Sequence, residues 1–64
     1  MIQINGEPKN CSGTRLTDCI SDMGYDPKRI AVERNGEIVP KAQYHETILM
    51  DGDVLEVVNF VGGG

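Results

Sequence analysis

Only one stretch of this chain has the period of a helix, and that limits the architectures open to it. Leu16, Cys19, Ile20 and Met23 fall at i, i+3, i+4 and i+7 on one helix face, while Arg15, Asp18 and Asp22 fall off that stripe. Thr14 is placed to cap the first turn, its hydroxyl accepting an orphan N–H. Residue 17 is Thr, not Glu or Gln, so a capping box is absent. Gly24 suits the position just past the helix, and Pro27 blocks continuation. The spacing predicts a helix over 15–23. One amphipathic helix has one sheet to cover, so a two-layer α+β architecture follows.

The remaining segments read as short strands. Ile2 and Ile4 alternate with Gln3, the period of a strand. Asn5-Gly6 follows, the strongest short hairpin signal, because both central positions of a type I′ turn need φ > 0. Glu7 to Cys11 is the expected return strand, at a sheet edge because Pro8 has no N–H to give. Residues 30–34 (Ile-Ala-Val-Glu-Arg) form a third strand, Asn35-Gly36 a second turn, and residues 37–39 a short return that Pro40 ends. Residues 41–46 have no clear period and fit one helical turn or a loop. Asp51-Gly52-Asp53 is a tight turn. Val54 to Val61 is the most apolar run, broken only by Glu56 and Asn59, and reads as a central strand buried on both faces. Asn-Gly-Glu occurs twice, at 5–7 and 35–37, as expected of two independent hairpins sharing a favoured turn.

Composition excludes several classes of function. A chain of 64 residues makes one domain and leaves little room for a deep substrate cavity. Ten acids against six scattered bases give a net charge of −4, which is wrong for a nucleic-acid partner. No apolar run approaches the ~20 residues a membrane helix needs, and the first residues do not resemble a signal peptide. Cys11 and Cys19 are too few for the disulfide framework of a secreted mini-protein, so both are expected as reduced thiols in a cytoplasmic protein. Cys19 is expected in the core and Cys11 at a strand end. His45 lacks companions at metal spacing and is expected as a surface residue. Asp51 and Asp53 lack the rest of a calcium loop.

The end of the chain has no structural assignment. Five of the eight glycines (6, 13, 24, 36 and 52) sit at turns and caps, but Gly62, Gly63 and Gly64 follow the strongest strand directly. Three residues without Cβ make a thin thread spanning about 10 Å. A partner can draw such a thread through a narrow channel. At its tip is a carboxylate, ionised at neutral pH with a pKa of about 3.5. A carboxylate is a poor acyl electrophile, so its use requires activation by another enzyme. The chain then serves as substrate and carrier rather than as an enzyme.

The residues that carry a resemblance are Asn5-Gly6-Glu7, Thr14-Arg15-Leu16, Ile30-Ala31-Val32-Glu33, Asn35-Gly36-Glu37-Ile38-Val39-Pro40, Asp51-Gly52-Asp53 and Phe60-Val61-Gly62-Gly63-Gly64. In this order and at this length the chain resembles the ThiS family, the sulfur carriers of thiamin biosynthesis within the ubiquitin-like β-grasp superfamily. Asp18-Cys19-Ile20 stands where the family often has an acidic residue and two leucines. The resemblance implies a β-grasp fold, a mixed sheet of four to five strands packed on one helix. The domain would occupy residues 1–61, with 62–64 as a flexible glycine tail. It implies that a ThiF-like adenylyltransferase uses ATP to adenylate the Gly64 carboxylate. Sulfur from a desulfurase or rhodanese then gives a thiocarboxylate, which thiazole synthase consumes. Gly62 and Gly63 would be the thread, and Phe60 and Val61 the docking patch at its base, unless they simply pack in the sheet. No bound cofactor or metal, nucleic acid or membrane is implied, and the cysteines have no part in the family's chemistry. The small subunit of molybdopterin synthase shares this pattern but is usually longer. A ubiquitin-like modifier joined to lysines, or a plain β-grasp interaction module, would also fit the predicted elements.

Overall fold

The computed structural model describes residues 1–60; the expected domain limit at 61 and the glycine tail at 62–64 lie outside the described residues. Strands β1 (Ile2–Ile4) and β2 (Glu7–Lys9) form the first hairpin. Helix α1 spans Leu16–Asp22. Strands β3 (Ile30–Arg34) and β4 (Glu37–Val39) form the second hairpin, and β5 spans Val54–Asn59. Short 3-10 turns occupy Pro27–Arg29 and Lys41–Gln43.

The strands form one five-stranded sheet in the order β2-β1-β5-β3-β4. β5 is therefore central, as its apolar run predicts. It pairs parallel with β1 (Gln3 opposite Val54) and antiparallel with β3 (Ala31 opposite Val58). The architecture is the expected two-layer α+β, with one helix on a mixed sheet. Both Asn-Gly turns adopt the left-handed geometry anticipated for type I′: Asn5 and Asn35 have φ of 52°, and Gly6 and Gly36 have 83° and 86°.

The core follows the alternation of each strand. Ile2, Ile4, Ile30, Val32, Leu55 and Val57 point to one side and meet Leu16, Cys19 and Ile20 of α1, together with Val39, Tyr44 and Leu49. Tyr44 enters this apolar layer with its hydroxyl donating to the Ile30 carbonyl at 3.3 Å, which satisfies the one polar atom it buries.

Several expectations need correction. β5 is not buried on both faces: Val54, Glu56 and Val58 are exposed, because a single helix covers only one side of the sheet. β2 ends at Lys9 rather than Cys11. The helix is shorter than 15–23, and Arg15, not Thr14, is its N-cap, with no side-chain cap bond. The Thr14 hydroxyl instead donates to the Cys11 carbonyl at 2.7 Å, tightening the loop before the helix. At the other end the Gly24 N–H donates to Ser21 and the Tyr25 N–H to Ile20. With Gly24 at φ 90° this is a Schellman cap, as the glycine implied. Finally, Cys11 and Cys19 are not separate thiols. The structure pairs them as a disulfide between the loop and the helix, because β2 and α1 bring their Cα atoms to 6.2 Å.

Candidate functional site: the root of the C-terminal segment

The candidate site begins where β5 ends, so what holds β5 determines how the following residues are presented. Two asparagines grip this strand from opposite sides. The Asn5 side chain donates to the Val57 carbonyl at 3.2 Å and accepts from the Val57 N–H at 2.8 Å. It thus extends the parallel ladder one step beyond the short β1. On the other side, the Asn35 carboxamide accepts from the Val54 N–H at 2.9 Å and donates to Asp53 at 3.1 Å. The repeated Asn-Gly therefore has two uses: it turns each hairpin and clamps the same central strand. The spacing revealed the turns; nothing in the sequence revealed the clamps.

Asp53 completes the grip at the start of β5. It is buried, and its carboxylate accepts from Arg34 at 2.9 Å, from Asn35, and from the Met50 N–H at 2.9 Å. Burial pushes its carboxyl upward, but the Met50 N–H, the Asn35 amide and the Arg34 guanidinium together outweigh this and hold it below the usual aspartate value. Asp53 is thus a structural anchor, in keeping with the turn expected there. Asp51 pairs with the amino terminus. His45 is exposed, as expected. Among the described residues no group of three metal-ligating side chains forms.

At the far end of β5, Phe60 is 52% exposed. That excludes ordinary core packing for it. Its N–H donates to the Arg29 carbonyl at 2.7 Å. The Lys41 ammonium lies 6.0 Å from the centroid of its ring and donates to the Lys28 carbonyl at 2.8 Å. Residues 28, 29, 41 and 60 thus converge from three segments, a meeting that no sequence pattern announced. Of the expected site residues, Phe60 is placed here; Val61, Gly62, Gly63 and Gly64 lie outside the described residues.

Beside Phe60 is the sheet face that α1 leaves open. Val58 lies opposite Ala31 and Glu56 opposite Glu33, with Ile38 next to Glu33 on the outer strand. Ile38 and Val58 are 66% and 56% exposed. Glu33 and Glu56 make no ion pair among the described residues, an unfavourable like-charge neighbourhood for an isolated sheet. The face is apolar with an acidic centre.

A sequence model of the ThiS family matches residues 2–64. The chain belongs to that family. It is 45% identical to the sulfur carrier protein ThiS of Bacillus subtilis, over 100% of both chains. It is also 47% identical over 64 residues to a thiazole synthase of Paramagnetospirillum magneticum; the match takes in 98% of this chain but spans only 20% of that protein's length. The fold is similar to the crystal structure of the thiamine biosynthesis protein ThiS from Geobacter metallireducens. That match has a TM-score of 0.79 at 28% identity, covering 98% of this chain and 97% of the other. The β-grasp expectation and the family resemblance are both borne out.

Proposed function

We propose that this chain, as a ThiS-family sulfur carrier of thiamin biosynthesis, works through its Gly64 carboxylate. A partner adenylyltransferase joins that carboxylate to the AMP portion of ATP, releasing pyrophosphate. The mixed anhydride is a good acyl electrophile where the carboxylate was a poor one. The outer sulfur of a persulfide donor, a desulfurase or rhodanese, attacks the anhydride and displaces AMP, giving an acyl disulfide. A thiol then attacks the donor's sulfur of that S–S bond, leaving a thiocarboxylate on Gly64 and a disulfide between donor and thiol. Gly62 and Gly63 form the thread that enters the partner's channel. Phe60, beside the open sheet face, is the proposed docking edge, and Val61 is assigned to the same edge by its place in the sequence. The carrier itself performs no catalysis and needs no bound cofactor; ATP belongs to the partner.

The observation that carries this reading is that the family match runs through residue 64 and so includes the terminal glycines. Three further features support it. β5 is held on both flanks, which gives the segment after it a rigid root. Phe60 is exposed beside an uncovered apolar face, the kind of anchor that buried aromatic hot spots use. A stretch like this chain also occurs within a protein named thiazole synthase, and joining carrier to consumer raises their effective concentration. Thiazole synthase is accordingly the proposed acceptor of the sulfur.

The test is the intact mass of the protein after incubation with ATP, a sulfur donor and the adenylyltransferase of the same cell. One oxygen replaced by sulfur at the C-terminus is expected. Deleting Gly64 is expected to abolish that change and leave the melting temperature unaltered. An unchanged wild-type mass with every candidate activating enzyme of the cell would falsify the reading.

A further inference from the structure

The Cys11–Cys19 pair is used by nothing in the carrier chemistry, and its surroundings are those of a reactive site. Cys19 is 5% exposed on the core side of α1, whereas Cys11 is half-buried in the loop after β2. The loop between them is held by bonds that do not involve sulfur. Thr14 donates twice to the Cys11 carbonyl, from its N–H and its hydroxyl. The Gly13 N–H donates to Leu49, and the Leu49 N–H donates to Thr14. The two sulfurs therefore stay near one another whether or not they are joined. Both line a groove of about 170 Å³ together with Lys9, Asn10, Asp22 and Met23. The groove opens to solvent, so a small disulfide can approach Cys11.

We propose that Cys11 and Cys19 form a reversible thiol–disulfide exchange site for low-molecular-weight disulfides of the glutathione class. The Cys11 thiolate attacks one sulfur of oxidised glutathione. That S–S bond breaks, and the first glutathione leaves and takes up a proton. Cys19 then gives its proton to water and attacks the Cys11 sulfur, expelling the second glutathione. Two electrons and two protons pass from the pair to the disulfide, and reduced glutathione reverses both steps. Closure ties the end of the first hairpin to the helix. Lys9 lies opposite Ile2, and β1 runs parallel to β5, so the pair sits toward the start of β5, away from Phe60. The redox state thus changes how firmly the body is held and leaves the root of the C-terminal segment accessible.

The experiment equilibrates the full chain in glutathione buffers of graded ratio, quenches with acid, alkylates free thiols and reads intact mass. A single transition between doubly alkylated and unalkylated monomer is expected. The oxidised form should melt about 10 °C above the reduced form. Cys19→Ser should trap a mixed disulfide at Cys11, and Cys11→Ser should react at least about tenfold more slowly because Cys19 is buried. Wild-type protein that stays doubly alkylated in excess oxidised glutathione overturns the proposal, and so does an oxidised form that melts with the reduced one. Equal reaction rates for the two serine variants overturn the assigned order. The wild-type titration decides the matter even where a variant folds poorly.

Discussion

Asn35 combines two demands that are usually met by different residues. Its backbone sits at positive φ, where glycine is the easiest choice, yet its carboxamide bonds both Val54 and Asp53. The two can be separated. Asn35→Gly keeps the turn and removes the amide, and should cost about 1–2 kcal/mol in urea unfolding. Asn35→Ala also strains the left-handed backbone and should cost about 1 kcal/mol more. Equal losses in the two variants would show that the clamp, not the turn, is the whole effect. Asp53 gives a second residue-scale expectation. Its carboxyl is held below the ordinary value in the folded protein, so its contribution to stability is fully present above the unfolded aspartate pKa of about 3.9. It is lost as pH falls from there through the lower folded value. Asp53→Asn should flatten the stability profile in that acid window, as followed by urea midpoints across pH. Neither role was legible beforehand. The sequence displays Asn-Gly and Asp-Gly-Asp as local turn chemistry, and the partners of these side chains lie 18, 19 and 52 residues away.

Elements were legible in proportion to how local their causes are. The helix announced itself through a four-residue stripe, and its end through Gly24, because both signals lie within a few turns of backbone. Its start did not. Thr14 was free to bond either the helix or the loop, and the nearby Cys11 carbonyl took it. The apolar run of the last strand predicts its central place but overstates its burial. Hydrophobicity on the outer face of β5 has another meaning: Val54 and Val58 face outward although they resemble core. The acidic centre of that face suggests what the element tolerates for its use. Glu33 and Glu56 are directly opposed, so Glu56→Lys should stabilise the isolated protein by about 0.5 kcal/mol at low salt. The gain should fade in high salt, where exposed charges are screened. The same variant should bind the proposed adenylyltransferase partner less tightly. A stabilised carrier with unchanged affinity would show that this face does not dock.

At the scale of the whole molecule, one strand unites two otherwise separate hairpins. β1–β2 and β3–β4 share no ladder; each bonds its own return strand and β5. Removing residues from 54 onward is therefore expected to unfold the chain completely by circular dichroism, whereas removing Gly64 alone should not. A native-like spectrum after the longer truncation would mean that the helix and the hairpins hold together by side-chain packing alone.

This topology orders events during synthesis. The strand that closes the sheet is the last of the five to leave the ribosome, and its parallel neighbour is the first. Such distant pairing makes folding wait for nearly the whole domain. A fragment released early has two loose hairpins, an exposed helix stripe and no stable form, and proteases can clear it. Folding thus acts as a test of completeness: a molecule with a firm body also carries the strand that leads to the proposed reactive end.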